Sequence, residues 1–230
     1  MIAVIDYDAG NIRSVEHALA ALGLPAVLTR DPDVIRKADK VILPGVGAFG
    51  DAMEKLNTYG LTGVIKEVVS AGKPFLGICL GMQLLFDSSE ESPGAEGLSL
   101  LPGRIIRIPE GDGLKIPHIG WNDITFPKES RLFAGIPEGS YVYFVHSYYL
   151  KADRHEDVAA ETTYGVTIHA AAERGNVFGC QFHPEKSGDV GLAILRNFGN
   201  PINGWTTSGK SKPGWTKTSS TGVPSSRAWR

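Results

Sequence analysis

Pro74-Phe75-Leu76-Gly77-Ile78-Cys79-Leu80-Gly81-Met82-Gln83-Leu84-Leu85-Phe86 is the stretch on which the fold turns. Residues 74–78 read as an apolar strand and residues 82–86 as a helix. Between them, Gly77-Ile78-Cys79-Leu80-Gly81 is a G-x-C-x-G version of the nucleophile elbow. A sharp strand-to-helix turn needs small neighbours, because side chains there would collide with adjacent strands. Such a turn lifts its nucleophile above the carboxyl ends of a sheet, where open α/β folds bind ligands. It also sets sulfur at a helix N-terminus, where the dipole favours thiolate. The Leu80 N–H is then poised to stabilise an oxyanion. A buried cysteine in a glycine-rich turn is the competing reading.

Outward from the elbow, strands and helices alternate. Residues 2–6 form an apolar run typical of a strand buried on both faces. Ile12, Val15, Leu19 and Leu22 follow at helical spacing and stop at Gly23. Residues 26–29 and 41–43 read as strands, with a weak helix over 32–38 between them. Leu61, Val64, Ile65, Val68 and Val69 mark an amphipathic helix that ends at Gly72. This order calls for an α/β fold with a parallel sheet covered by helices on both faces. Downstream, residues 105–108, 116–126, 141–150, 158–163, 167–172 and 177–182 read as strands, fitting an antiparallel extension of the sheet. A last helix over 190–198 is closed by Gly199. One domain is expected over residues 1–199, followed by a low-complexity tail over 200–230.

The formal charge of −2, from 23 basic and 25 acidic residues, averages two unlike segments. Residues 201–230 hold five basic residues and no acid, so the tail is +5 and the body −7. An acidic body argues against a nucleic-acid-binding face. The tail contains six Ser, five Thr, four Gly and three Pro, a composition expected to stay disordered. Trp205, Trp215 and Trp229 offer a docking role as the alternative. No stretch approaches the ~18 apolar residues of a membrane span, and the N-terminus lacks a secretory pattern. Cys79 and Cys180 are therefore expected as thiols in a cytoplasmic protein. Cys180 shares the parity of Phe178 and Phe182 and reads as core packing.

A thiolate nucleophile needs a base. His183-Pro184-Glu185, at the end of the strand over 177–182, supplies an imidazole and a carboxylate to orient it. Alone the triplet is weak; beside the elbow it completes a nucleophile–base–orienter set. Gly45-Val46-Gly47-Ala48-Phe49-Gly50 matches G-x-G-x-x-G, but it neither opens the first βα unit nor has an acid about 20 residues on. A second oxyanion donor from a neighbouring βα loop is the better reading, with glycines that let the peptide flip. The six histidines form no H-E-x-x-H or Cys/His cluster, so no metal or cofactor is expected.

GICLG with HPE resembles the class I (triad) glutamine amidotransferase family. DYDAGNIRS (6–14), LPGVGAFGDAM (43–53), GICLGMQLLF (77–86), KIPHIGWN (115–122), YFVHSYY (143–149) and FHPEKSG (182–188) resemble, within it, the glutaminase subunits of imidazole glycerol phosphate synthases. The resemblance implies a three-layer, flavodoxin-like domain and hydrolysis of glutamine through a Cys79 thioester, with His183 and Glu185 completing the triad. It implies an oxyanion hole from the Leu80 N–H and a peptide N–H at Val46 or Gly47. It places Gly47, Gln83, Ser147 and Tyr148 on the glutamine, and Asn11, Trp121, Tyr143 and Lys186 against a partner. That partner is a (β/α)₈ cyclase subunit, joined as a heterodimer, which receives ammonia through a channel and makes imidazole glycerol phosphate and AICAR. The family pattern commonly has Gly where this chain has Asp8. A free-standing wasteful glutaminase is undesirable, so the PGVG peptide is expected to present a carbonyl, not its N–H, until the partner binds. A stand-alone cysteine hydrolase and a non-catalytic regulatory domain are the competing readings.

Overall fold

Four-residue strands with no polar side chain are stable only where both faces are covered, and the first strand, β1 (Ile2–Ile5), is buried throughout. The computed structural model describes residues 1–111 and 113–200; the basic tail lies outside the described residues. The chain continues through α1 (Ile12–Ala21), β2 (Ala26–Thr29), α2 (Pro32–Lys37), β3 (Lys40–Leu43), α3 (Phe49–Thr58), α4 (Leu61–Ser70), β4 (Phe75–Ile78) and the single turn α5 (Leu80–Gln83). Then follow β5 (Ser88–Ser89), β6 (Gly103–Arg107), β7 (His118–Ile124), β8 (Ser140–His146), β9 (Tyr148–Ala152), β10 (Val158–Tyr164), β11 (Val166–Arg174), β12 (Val177–Cys180) and α6 (Gly188–Gly199).

The main sheet has the order β2-β1-β3-β4-β12-β11-β9-β6-β5, with β10 paired to β11. Strands β2, β1, β3, β4 and β12 are mutually parallel. Antiparallel pairing begins at β11 and carries on through β9 and β6. Side chains alternate across this sheet into two cores. Ala3, Ile5, Val41 and Leu43 pack with Ile35, Phe49, Leu56, Leu61 and Ile65 from α2, α3 and α4. Ile2, Val4 and Ile42 pack on the other face with Val15, Leu19, Ile194 and Phe198 from α1 and α6. Three layers result, mostly parallel with an antiparallel extension, as the alternation of elements predicts. Lys40 ties the end of α6 to the sheet by donating to the carbonyls of Phe198 (2.7 Å), Gly199 (3.0 Å) and Asn200 (2.8 Å). Those are the carbonyls a helix leaves without partners.

Three expectations need correction. The run 141–150 is two strands: β8 pairs with β7 in a separate two-stranded ribbon, and β9 belongs to the main sheet. Aromatic and aliphatic residues continue on both sides of Ser147, so composition does not mark the crossing. The helix after the elbow starts at Leu80, not Met82, and spans one regular turn. Helix α3 is absent from the sequence reading because its start carries no local capping signal. The Phe49 and Gly50 amides are satisfied by Glu91 Oε2 (2.8 Å) and Ser92 Oγ (2.9 Å), far along the chain.

Two glycines provide opposite tests of the packing. A methyl group on Gly81 would lie 1.8 Å from the Leu43 carbonyl oxygen, whereas Gly63, within α4, has open space. Gly81→Ala is expected to cost about 2–3 kcal/mol or more through overpacking. Gly63→Ala should gain roughly 0.5–1 kcal/mol through helix propensity and unfolded-state entropy. Urea denaturation of both variants checks the pair.

Candidate active site

The loops that leave the carboxyl ends of β1, β3, β4 and β12 converge on Cys79. Its backbone sits at φ 54°, ψ −112°, a conformation that costs a non-glycine residue about 1–3 kcal/mol. The elbow glycines make it attainable. A Cβ on Gly77 would stand 2.5 Å from the Gly81 carbonyl oxygen, and one on Gly81 would enter β3. The Cys79 N–H donates to the Cys180 carbonyl at 2.8 Å, which fixes the turn to β12. Cys79 and Cys180 are both free. Cys180 is wholly buried, and burial pushes its thiol pKa up, with the charges of Glu185 and Cys79 adding to the shift. It is therefore inert core.

His183 follows β12 and is 1% exposed. Its Nδ1 lies 2.8 Å from Glu185 Oε1. Asn11 Nδ2 donates to the same oxygen at 3.0 Å, and Asn11 Oδ1 accepts from Ser14 Oγ at 2.6 Å. Asn11 thus holds the orienting carboxylate in addition to starting α1. The turn after His183 is clamped by the ribbon: the His183 N–H donates to the Tyr143 carbonyl at 3.0 Å, and the Tyr143 N–H donates to Ser187 Oγ at 2.9 Å. Ser187 Oγ in turn donates to the His183 carbonyl at 2.6 Å. Burial on its own lowers the imidazole pKa. The Cys79 sulfur and the Glu185 carboxylate outweigh it and raise His183 to about 9. Both neighbours favour the imidazolium over the neutral ring.

The turn after Cys79 is closed against the PGVG loop. The Leu80 N–H donates to the Gly45 carbonyl at 3.3 Å, so this amide is already engaged by the PGVG loop. Gly47 sits at φ 109° and Val46 is exposed. Gly45 itself admits no side chain, since a Cβ there would lie 2.0 Å from Tyr7 Oη. That hydroxyl is buried without a partner, and burial, with the Cys79 charge behind it, raises its pKa. Asp8, at φ 61°, accepts from Arg30 and Tyr59, which anchors the first loop.

Gln83 is buried, and its Nε2 donates to the Tyr148 carbonyl (3.1 Å) and to Gln181 Oε1 (3.0 Å). Tyr148 thus faces Gln83 through its backbone, and the neighbouring Ser147 carbonyl accepts the Ile108 N–H at 2.9 Å. Gln181 was not singled out by sequence reasoning, yet its Nε2 donates to Cys79 Sγ at 3.7 Å from a fully buried position. The signal was a lone amide inside the apolar run 177–182, which is tolerated only where its polar atoms are satisfied. Trp121 is 55% exposed and meets Tyr143 edge-on at 6.1 Å across the ribbon. Ile119 and Tyr141 are exposed on the same face, and Lys186 is exposed in the turn after His183. Asn11, Tyr143 and Lys186 are therefore linked to the triad by contact or chain, whereas Trp121 is linked through Tyr143 only.

Among the described residues, His155, Glu161 and His169 bring potential ligand atoms within 4.8 Å of one another, which spacing did not reveal. His169 Nδ1 already accepts the Ala152 N–H at 3.2 Å, leaving the proton of the neutral ring on Nε2 towards Glu161. That tautomer suits a hydrogen bond to the carboxylate and opposes metal ligation. No helix among the described residues is long and apolar enough to cross a membrane.

The pattern of the glutamine amidotransferase class-I family matches residues 3–200. A protein called imidazole glycerol phosphate synthase subunit HisH, from Moorella thermoacetica, is 53% identical over 201 residues, or 87% of this chain and 95% of the relative. Its namesake from Methanothermobacter thermautotrophicus is 52% identical over 198 residues, or 86% of this chain and 97% of the relative. Of solved structures, one described as a glutamine amidotransferase has a TM-score of 0.69 at 20% identity, covering 87% of this chain and all (100%) of that one. PurLQS from Thermotoga maritima has a TM-score of 0.62 at 22% identity, covering 86% and 96% of the two chains. At such identities the structural likeness is one of fold.

The His183–Glu185 pair carries a signed pH dependence. His183 has a folded pKa raised to about 9 against about 6.5 unfolded. Its stabilising contribution is therefore complete below the unfolded value and lost as pH rises through the folded one. In Glu185→Gln the imidazole titrates lower and the loss is complete at a lower pH, a shift that urea denaturation between roughly pH 6 and 10 resolves. Turnover should fall by on the order of 10²–10⁴, as when an imidazole loses its orienting carboxylate.

Proposed function

The chain belongs to the glutamine amidotransferase class-I family, and from that premise we propose how its residues serve the glutaminase of an imidazole glycerol phosphate synthase. It is a glutamine-hydrolysing enzyme, and relatives about half identical over nearly their whole length carry the name of that synthase's subunit. The observation that carries the residue assignment is the 2.8 Å His183–Glu185 contact above an elbow cysteine whose sulfur acts on the same imidazole.

The Cys79 thiolate attacks the side-chain carbonyl carbon of glutamine and forms a tetrahedral oxyanion. Its collapse breaks the C–N bond, His183 gives its proton to the nitrogen, and ammonia leaves a γ-glutamyl thioester. Water then attacks, His183 takes its proton, and the C–S bond breaks to release glutamate and restore the thiolate. Glu185, held by Asn11, keeps the imidazole aligned throughout. Leu80 and Val46 or Gly47 supply the oxyanion donors, and Gln83, Ser147, Tyr148 and Gly47 hold the substrate.

The Leu80–Gly45 hydrogen bond supports a restrained resting state, because it must open before the hole can form. Rotation of the peptide after Gly45 would turn its carbonyl out and the Val46 N–H in, eased by Gly47 at positive φ. The partner that triggers this is a (β/α)₈ cyclase subunit in a cytoplasmic heterodimer, docked on Trp121, Tyr143, Lys186 and the Asn11 loop. It consumes the channelled ammonia to make imidazole glycerol phosphate and AICAR. The exposed apolar face of the ribbon favours this over a stand-alone hydrolase.

Glutamine hydrolysis by the isolated chain should rise by roughly 10²-fold when the cyclase subunit and its nucleotide ligand are added, the worth of one oxyanion donor. Full activity without the partner would sink the restrained state. Cys79→Ala should abolish glutamine-dependent synthesis and spare ammonia-dependent synthesis; loss of both would refute an ammonia-supplying role. The domain itself is assigned to residues 1–199. Truncation after Asn200 is therefore expected to change neither the denaturation midpoint nor the partner-stimulated rate, and a marked drop in either would make the tail part of the machine.

A further inference from the structure

Apart from Trp121, the KIPHIGWN motif has no part in the steps above, yet His118 on β7 and His146 on β8 are both buried. Their register is direct, residue against residue on the inner face of the ribbon. His146 Nδ1 lies 2.9 Å from the Tyr148 carbonyl. A carbonyl only accepts, so the proton is on Nδ1 and Nε2 of the neutral ring is bare. That bare nitrogen lies 3.0 Å from His118 Nδ1, which must then donate. His118 Nε2 is bare in turn and faces Asn122 Nδ2 at 3.4 Å. The Asn122 amide is oriented by its donation to the Thr163 carbonyl at 2.9 Å.

The far end of this series reaches the nucleophile. The Tyr148 carbonyl also accepts Gln83 Nε2, which donates its other proton to Gln181 Oε1, and Gln181 Nε2 donates to Cys79 Sγ. We propose that His118 and His146 are positioning residues for glutamine hydrolysis: a neutral relay, with every donor pointing the same way, that holds the Tyr148 carbonyl where Gln83 and Gln181 orient the Cys79 sulfur. The proposal rests on the reading of this site as a glutaminase.

The surroundings keep the relay in one state. His118 stacks on Tyr164 of β10 at 3.9 Å and on Phe144 of β8 at 4.8 Å between ring centroids. Burial lowers the His118 pKa to about 4. Burial lowers that of His146 to about 3 against the pull of the Tyr148 carbonyl, with the charges of His118 and His183 adding to the descent. The groups facing the two rings are thus Asn122, Phe144, Tyr164, the Tyr148 carbonyl and, electrostatically, His183. No carboxylate among the described residues is hydrogen-bonded to either ring. Protonating either one would set N–H against N–H and break the relay. The same two strands expose Ile119, Trp121 and Tyr141 on their outer face, so whatever covers that face presses on the back of the relay.

The test uses the complex with the cyclase subunit. His146→Leu removes both hydrogen bonds and should raise KM for glutamine by about tenfold with a smaller change in kcat, leaving ammonia-dependent synthesis intact. His146→Asn keeps an N–H near the Nδ1 position and should recover most of the loss. A wild-type KM in His146→Leu, or equal impairment of the two variants, overturns the relay. Absence of glutamine hydrolysis in the wild-type complex would instead remove the glutaminase reading on which it rests. Nitrogen-15 NMR of the wild-type imidazoles keeps the test decisive if a variant fails to fold. Both rings should stay neutral, with the proton on Nδ1, down to about pH 5. Titration of either near its ordinary value, or a proton on Nε2, overturns the proposal.

Discussion

Gly81 approaches β3 so closely that the whole site depends on its lacking a side chain. The Leu43 carbonyl oxygen occupies the place where a Cβ would be, 1.8 Å away. This contact lets α5 begin directly over the end of β3, within one residue of Cys79. Cys79 therefore turns out of the strand at φ 54°, at the end of β4. The same approach brings the Leu80 N–H to the PGVG loop, which is the continuation of β3. The placements of Cys79, the Leu80 N–H and the PGVG loop, on which the proposed mechanism relies, all follow from one close backbone contact between neighbouring parallel strands.

The base is positioned by a different element. Strand β12 pairs with β4 up to Cys180, and the chain then leaves the main sheet, so that the His183 N–H bonds to β8 of the ribbon. The nucleophile is thus fixed by the sheet and the imidazole by the ribbon. Their relative placement is set where β12 passes from one to the other, at Gln181, whose backbone N–H bonds to Ala170 and whose side chain reaches Cys79. A shift of the ribbon would act on the base through Tyr143 and Ser187 and on the nucleophile through the hydrogen bonds that start at His118. This couples an exposed apolar surface to chemistry without any long-range change in the sheet.

The legible parts of the sequence are those governed by local rules. Apolar runs, helical spacing and the G-x-C-x-G turn depend on neighbours a few residues apart, and they define the parallel half of the sheet and its helices. The clustering of Cys79, His183 and Glu185 was readable because the elbow and His183-Pro184-Glu185 each end a recognisable strand. The missed features rest on contacts between distant residues. Helix α3 is capped by Glu91 and Ser92, Asn11 holds Glu185 from 174 residues away, and Gln83 meets Gln181 across 98. Aromatic and aliphatic residues run on through the crossing, so the change of partner at Ser147 is silent in composition. His118 and His146, 28 residues apart, announce nothing by spacing because their pairing is a property of register.

Among the described residues, three buried polar atoms around Cys79 have no hydrogen-bond partner: Tyr7 Oη, His183 Nε2 and Glu185 Oε2. An unsatisfied buried group costs about 1–3 kcal/mol, so such groups persist in a core only where something else offsets them. Here they line the space in which a thiolate, an amide and a displaced loop must find partners in turn. His183 Nε2 is free to exchange a proton with the reacting atoms because nothing else in the fold claims it. The Leu80 N–H is the exception, since it is satisfied by the Gly45 carbonyl. The resting site thus keeps its proton-transfer group available and its oxyanion donor occupied. That combination favours neither a fully formed catalyst nor an inert fold. Under the proposed mechanism, hydrolysis then waits on the turning of one peptide, flanked by the two glycines of the loop.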